Sequence, residues 1–187
     1  MHPTLLIVPG WLNSGPQHWQ SLWERTYRNA RRVEQQDWAA PRREAWVREL
    51  DTAVSNAIAP VALIAHSLGC ITVAHWTASA SSQQLAKIHS AMLVAPADVE
   101  RPDCIPELRN FAPMPKDRLP FATLLIASSN DPYCALPRAR SFAECWGSGF
   151  RDIGDAGHVN AESGFGEWPE GESLLLSLTN PTLNCKL

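Results

Sequence analysis

The chain has 187 residues, 45% of them hydrophobic and 19% charged. That is ample apolar material for one packed core, and it excludes a disordered or collagen-like chain. The net charge is -3 and no basic stripe occurs, so nucleic acid and anionic membrane surfaces are poor partners. No apolar run approaches the roughly 18–20 residues of a membrane span.

The opening stretch Met1 to Gly10 has no charged leader region and only a short apolar run, so no signal peptide is expected. Five cysteines, Cys70, Cys104, Cys134, Cys145 and Cys185, are odd in number and contain no Cys-x-x-Cys pair. Neither a disulfide framework nor a zinc site is expected from that spacing; free thiols in a reducing cytoplasm are. Fifteen prolines predict numerous stiff loops.

Strand and helix signals alternate along the chain. Thr4 to Val8 is a short apolar run stopped by Pro9-Gly10, as in a strand buried on both faces. Pro16 predicts a helix start, with Ser14 or Gly15 as cap, and Trp19, Leu22, Trp23 and Tyr27 follow at helical spacing. Arg32 to Gln36 is a weak candidate strand. Pro41 opens a second helix carrying Ala45, Trp46, Leu50, Ala53 and Val54. Pro60 to Ala65 is the clearest strand, and the apolar segment Cys70 to Ala80 predicts a helix in the middle of the domain. Further strands are expected at Ser90–Ala95, Ala122–Ala127 and Phe150–Ile153, with helices at Pro137–Trp146 and Glu170–Leu178. The long irregular stretch Pro96 to Pro120, with six prolines, is expected to hold a short helix near Pro106–Asn110. The tail after Thr179 is expected to fray.

This alternation predicts a single α/β domain over residues 1–187. It is a three-layer α/β/α sandwich around a mainly parallel six-stranded sheet in the order 2-1-3-4-5-6. Working groups in such sheets sit beyond the carboxyl ends of the strands.

At one such end stands Ala65-His66-Ser67-Leu68-Gly69, between the clearest strand and the most apolar helix. A sharp strand-to-helix turn with small residues two before and two after a serine lifts its hydroxyl clear of the sheet. Alone, this pattern also fits a structural serine. A nucleophilic serine needs a base, and the base needs an orienting acid. Asp131 follows the strand ending at Ala127, and His158 follows the last strand, in the order Ser, Asp, His. Singly, Asp131 is also a plain turn residue and His158 a loop histidine. Together with Ser67 they form a candidate catalytic triad. Asp155, three residues before His158, is the rival acid. His66 is read as wall or packing and His75 as structural.

The oxyanion donors expected are the backbone N–H groups of Leu68 and of Trp11, in the loop after the first strand. Gly10, His66 and Trp168 are candidate pocket residues, and Asn13 and Ser14 are candidate helix caps. Trp19, Trp23, Trp46, Trp76 and Trp146 are expected in the core.

Several segments together resemble one family. They are Val8-Pro9-Gly10-Trp11, His66-Ser67-Leu68-Gly69, Ala127-Ser128-Ser129-Asn130-Asp131-Pro132-Tyr133, Gly157-His158-Val159-Asn160, Glu162 to Gly166 and Trp168 to Gly171. The chain resembles the YdeN-like, retinoblastoma-binding-protein-9-like small serine hydrolases of the α/β-hydrolase superfamily. The resemblance implies a compact hydrolase core without two leading antiparallel strands or a helical cap. It implies the triad roles for Ser67, Asp131 and His158, and no metal or cofactor.

The expected activity is hydrolysis of small carboxylic esters through an acyl-enzyme. Hydrolysis of amides or short peptides by the same triad is an open alternative, as is a catalytically silent protein-binding module on the same fold. The expected partner is a small ester or amide substrate. A protein partner is not readable from the residues.

Overall fold

The computed structural model describes residues 2–179. The tail expected to fray lies outside these beyond Thr179. Six strands form one sheet: β1 Thr4–Val8, β2 Ala30–Arg32, β3 Val61–His66, β4 Ile88–Val94, β5 Ala122–Ala127 and β6 Gly149–Asp152. Their order is β2-β1-β3-β4-β5-β6, and every neighbouring pair is parallel.

Side chains of successive strand residues enter opposite layers, as the pleat requires. Leu6 and Val8 of β1, Leu63 and Ala65 of β3, and Leu93 of β4 join one core. That core is completed by α2 (Arg43–Asn56), α3 (Leu68–Ser79) and α5 (Leu136–Trp146). Leu5, Ile7, Ala62, Ile64, Met92 and Val94 join the other, under α1 (Trp19–Thr26) and α6 (Pro169–Thr179). The two cores make the three layers. A short helix, α4 (Ser82–Leu85), closed by a Ser81/Gln84 capping box, was not expected from the sequence.

α3 buries residues on every side, as its apolar sequence requires. Trp19, Trp23, Trp46, Trp76 and Trp146 are all core residues. The stretch from Pro96 to Pro120 carries a 3₁₀ turn at Pro106–Phe111, and its Val99, Leu108, Phe111, Met114 and Leu119 sink into the first core.

Two expectations at the N-terminal end need correction. α1 starts at Trp19 rather than at Pro16, and its cap is His18, whose Nδ1 accepts from the Gln20 N–H at 3.2 Å. Ser14 does not serve as the cap; its hydroxyl instead donates to Gln20 Oε1 at 2.6 Å. Asn13 is not a cap either, since its Oδ1 accepts from Arg32 and from the Ser14 N–H. The second strand is Ala30–Arg32, not Arg32 to Gln36. Ile7 of β1 already stands opposite Arg32, so the edge strand runs out of partner just beyond it. β6 and the remaining helices differ from expectation only by one or two residues at their ends.

Candidate active site

β3 ends at His66, and the next residue turns the chain straight into α3. That residue is Ser67, with φ 53° and ψ −122°. A non-glycine residue there is strained, and such strain persists only where the surroundings enforce it. Two glycines let them do so. A Cβ on Gly69 would lie 2.2 Å from the Val8 oxygen, and one on Gly10 would lie 2.7 Å from the Ser67 Cβ. The β1 loop therefore presses directly on the turn. Buried Gln20 closes the same end of the sheet, its amide donating to the Ile64 oxygen at 2.9 Å and the Val8 oxygen at 3.3 Å.

His158 Nε2 lies 2.9 Å from Ser67 Oγ, and His158 Nδ1 lies 3.0 Å from each carboxylate oxygen of Asp131. A carboxylate only accepts, so the proton of a neutral imidazole sits on Nδ1 and Nε2 is free to accept from the serine hydroxyl. The Asp131 side chain is almost wholly shielded from solvent. Asp155 is exposed, and it is Asp131 that pairs with His158.

The loops that carry Asp131 and His158 are tied to each other. Ser128 Oγ accepts from the Ala156 N–H at 2.9 Å, Asn130 Oδ1 accepts from the Gly157 N–H at 2.7 Å, and the Ser129 N–H donates to the Gly154 oxygen at 2.8 Å. Ser163 Oγ accepts from the His158 N–H at 3.1 Å. A Cβ on Gly157 would meet that Ser163 hydroxyl at 2.4 Å. Asp131 itself accepts from the Tyr133 N–H at 2.8 Å, and the Tyr133 ring stands edge-on to His158 at 4.5 Å. These individual roles were not visible in the sequence, although the segments holding them had been singled out.

A cleft of about 220 Å³ opens above Ser67. Trp11, Leu12, Asn13, His18, His66 and Tyr133 line it, and Ala97, Ile105 and Leu108 make the Pro96–Pro120 stretch part of its rim. Glu162 supplies its acidic edge. Leu68 heads α3 beside Gly10, and the Trp11 ring is pinned by its Nε1 donating to the Ala39 oxygen at 2.9 Å. Gly10 backs the turn rather than facing the cleft. Trp168 is corrected: it is a core residue, packed at 5.3 Å and 6.1 Å against Trp19 and Trp23, because α6 folds its first turn onto that face.

His18, which the sequence did not single out, forms cleft wall. Burial pushes its pKa down to about 3, helped by His158 and Arg32. His66 is likewise held well below the usual histidine value, by burial first and then by His158 and His18. The wall beside Ser67 is thus made of two neutral imidazoles. His75 is structural, its Nε2 lying 2.7 Å from the Phe111 oxygen.

Comparison with known proteins agrees with this architecture. Residues 5–177 match the family model of serine hydrolases. A protein classed as a YdeN-like hydrolase from Pectobacterium atrosepticum is 34% identical, with a TM-score of 0.83 over 95% of this chain and 91% of its own. The ydeN gene product of Bacillus subtilis is 18% identical, with a TM-score of 0.78 over 94% and 98%. The carboxylesterase CesB of Bacillus subtilis shares the fold at 13% identity and a TM-score of 0.63, over 96% and 84%. Curated protein sequences give no match. The chain belongs to the serine hydrolase family, among the YdeN-like small α/β-hydrolases.

Proposed function

We propose that the protein hydrolyses small carboxylic esters through an acyl-enzyme on Ser67. The observation that carries this reading is the unbroken line of hydrogen bonds from Asp131 through His158 to Ser67, at 3.0 Å and 2.9 Å. Ser67 Oγ adds to the ester carbonyl carbon while its proton passes to His158 Nε2. The developing oxyanion is held by the backbone N–H groups of Leu68 and Trp11, the first at a helix N-terminus where the dipole favours negative charge. Asp131 holds the imidazole tautomer and stabilises its charged form. Collapse of the tetrahedral adduct breaks the bond to the alkoxy group, which leaves with the proton from His158. Water then attacks the acyl-enzyme by the same route and frees the acid and Ser67. No step calls for a cofactor or metal.

The open cleft, with a rim and no large cap among the described residues, favours a small substrate. Nothing in the chemistry needs nucleic acid or a membrane, and no helix among the described residues is long and apolar enough to cross one. Cys70, Cys104, Cys134 and Cys145 are free thiols, which suits the cytoplasm as the place of action.

The test is labelling with a fluorophosphonate probe, with mass spectrometry to locate the adduct and Ser67→Ala as control. Labelling confined to Ser67 supports the reading. Failure of folded protein to label overturns it and leaves a silent binding module on the fold. Turnover of a p-nitrophenyl ester against the matching anilide then decides ester over amide.

A further inference from the structure

The carbonyl oxygens of two consecutive residues, His158 and Val159, are each taken by a ring N–H from elsewhere in the fold. His66 Nε2 lies 2.8 Å from the His158 oxygen, and Trp19 Nε1 donates to the Val159 oxygen at 2.8 Å. A carbonyl only accepts, so the His66 proton resides on Nε2. All four residues are buried. Val159 has φ +50°, a left-handed conformation that a β-branched side chain resists. Such a turn survives only where neighbours over-determine it. The neighbours here come from two distant places: His66 ends β3 and directly precedes Ser67, and Trp19 opens α1.

Resting on the reading of Ser67, His158 and Asp131 given above, we propose that His66 and Trp19 are positioning residues. Their ring N–H groups clamp the strained His158–Val159 turn and so hold the His158 imidazole on the Ser67 hydroxyl. The clamp works through the backbone of the base loop. It ties that loop to the same strand end that carries the nucleophile, so the two partners move as one body. Removing one N–H while keeping a ring lets the turn relax and the imidazole drift from its 2.9 Å contact. Displacements of that order cost reactivity steeply.

The test uses His66→Phe and Trp19→Phe, which delete the donors but keep aromatic bulk. His66→Gln restores an N–H at a similar reach. Three quantities are read: the rate of fluorophosphonate labelling at Ser67, the thermal midpoint, and hydrogen exchange in residues 156–160. Both Phe variants are expected to label about ten- to a hundredfold more slowly. Their midpoints should move by only a few degrees, with faster exchange in residues 156–160, and His66→Gln should recover part of the labelling rate. Wild-type labelling and exchange in both Phe variants overturn the clamp. So does slow labelling that follows the midpoint and is not recovered by Gln. If the wild-type protein itself does not label, the reading of the triad fails while exchange still decides the clamp: faster exchange in the Phe variants supports it, and unchanged exchange overturns it.

Discussion

Gly69 lies so close to Val8 that a side-chain carbon on the glycine would sit 2.2 Å from the Val8 carbonyl oxygen. The atom in the way is backbone in a central strand, so it cannot swing aside. Gly69→Ala should therefore cost about 3 kcal/mol, through overpacking at a position that cannot yield. For a chain of this size that is a fall of roughly 6–12 °C in Tm. Differential scanning calorimetry checks it; a Tm within about 2 °C of wild type would mean that the β1 loop is not the wall of the turn.

Asp131 and Asp155 should separate cleanly. Asp131→Asn is expected to lower kcat by roughly a thousand- to ten-thousandfold, because the amide favours the wrong imidazole tautomer. Asp155→Asn changes an exposed side chain and should leave kcat within about twofold. Steady-state kinetics on one p-nitrophenyl ester decides, and comparable losses in both variants would refute the assignment of the acid.

The neutral wall predicts an acid-side loss of stability. His18 has a folded pKa of about 3 against an ordinary value of 6.5. The unfolded chain therefore binds the proton that the folded one refuses. The stability is fully present above pH 6.5 and is lost progressively as pH falls from there toward about 3; His66 adds a loss of the same sign. His18→Asn removes the imidazole and offers an amide oxygen in place of the ring nitrogen that caps α1. Its unfolding free energy, measured in urea at pH 7 and pH 4.5, should fall less across that interval than that of wild type. An equal fall would show that His18 does not resist protonation.

Trp168 is expected to matter for stability and not for substrate. It is buried against Trp19, Trp23 and Phe165. Trp168→Ala should cost about 3–5 kcal/mol, while KM of the surviving folded enzyme stays within about twofold. A large rise in KM without loss of stability would restore Trp168 to the cleft.

Much of this fold was legible because central parallel strands are buried on both faces. The runs at Thr4–Val8, Val61–His66 and Ala122–Ala127 admit hardly any polar residue. The edge strand Ala30–Arg32 was not legible: it is three residues long and two are arginines. Its position is set by what β1 has left to pair, which is a tertiary fact. Ser67, Asp131 and His158 could be picked out together because each follows a strand in the expected order. His18 and Trp168 could not be sorted in the same way. One gained its role from the ring that lies beside it, the other from the helix face it lands on. Gln20, lying among tryptophans on a helix, gave no hint that its amide spans the ends of β1 and β3.

The segment between β4 and β5 builds one wall of the cleft with Ala97, Ile105 and Leu108, yet no strand of the sheet lies within it. It is fastened instead by Val99, Phe111, Met114 and Leu119, plugged into the core beneath α3 and α5. That wall of the cleft is thus a cassette on a fixed chassis. Exchanging it between relatives, with its plugs kept, should reshape that wall of the cleft while leaving Ser67, Asp131 and His158 where the sheet put them.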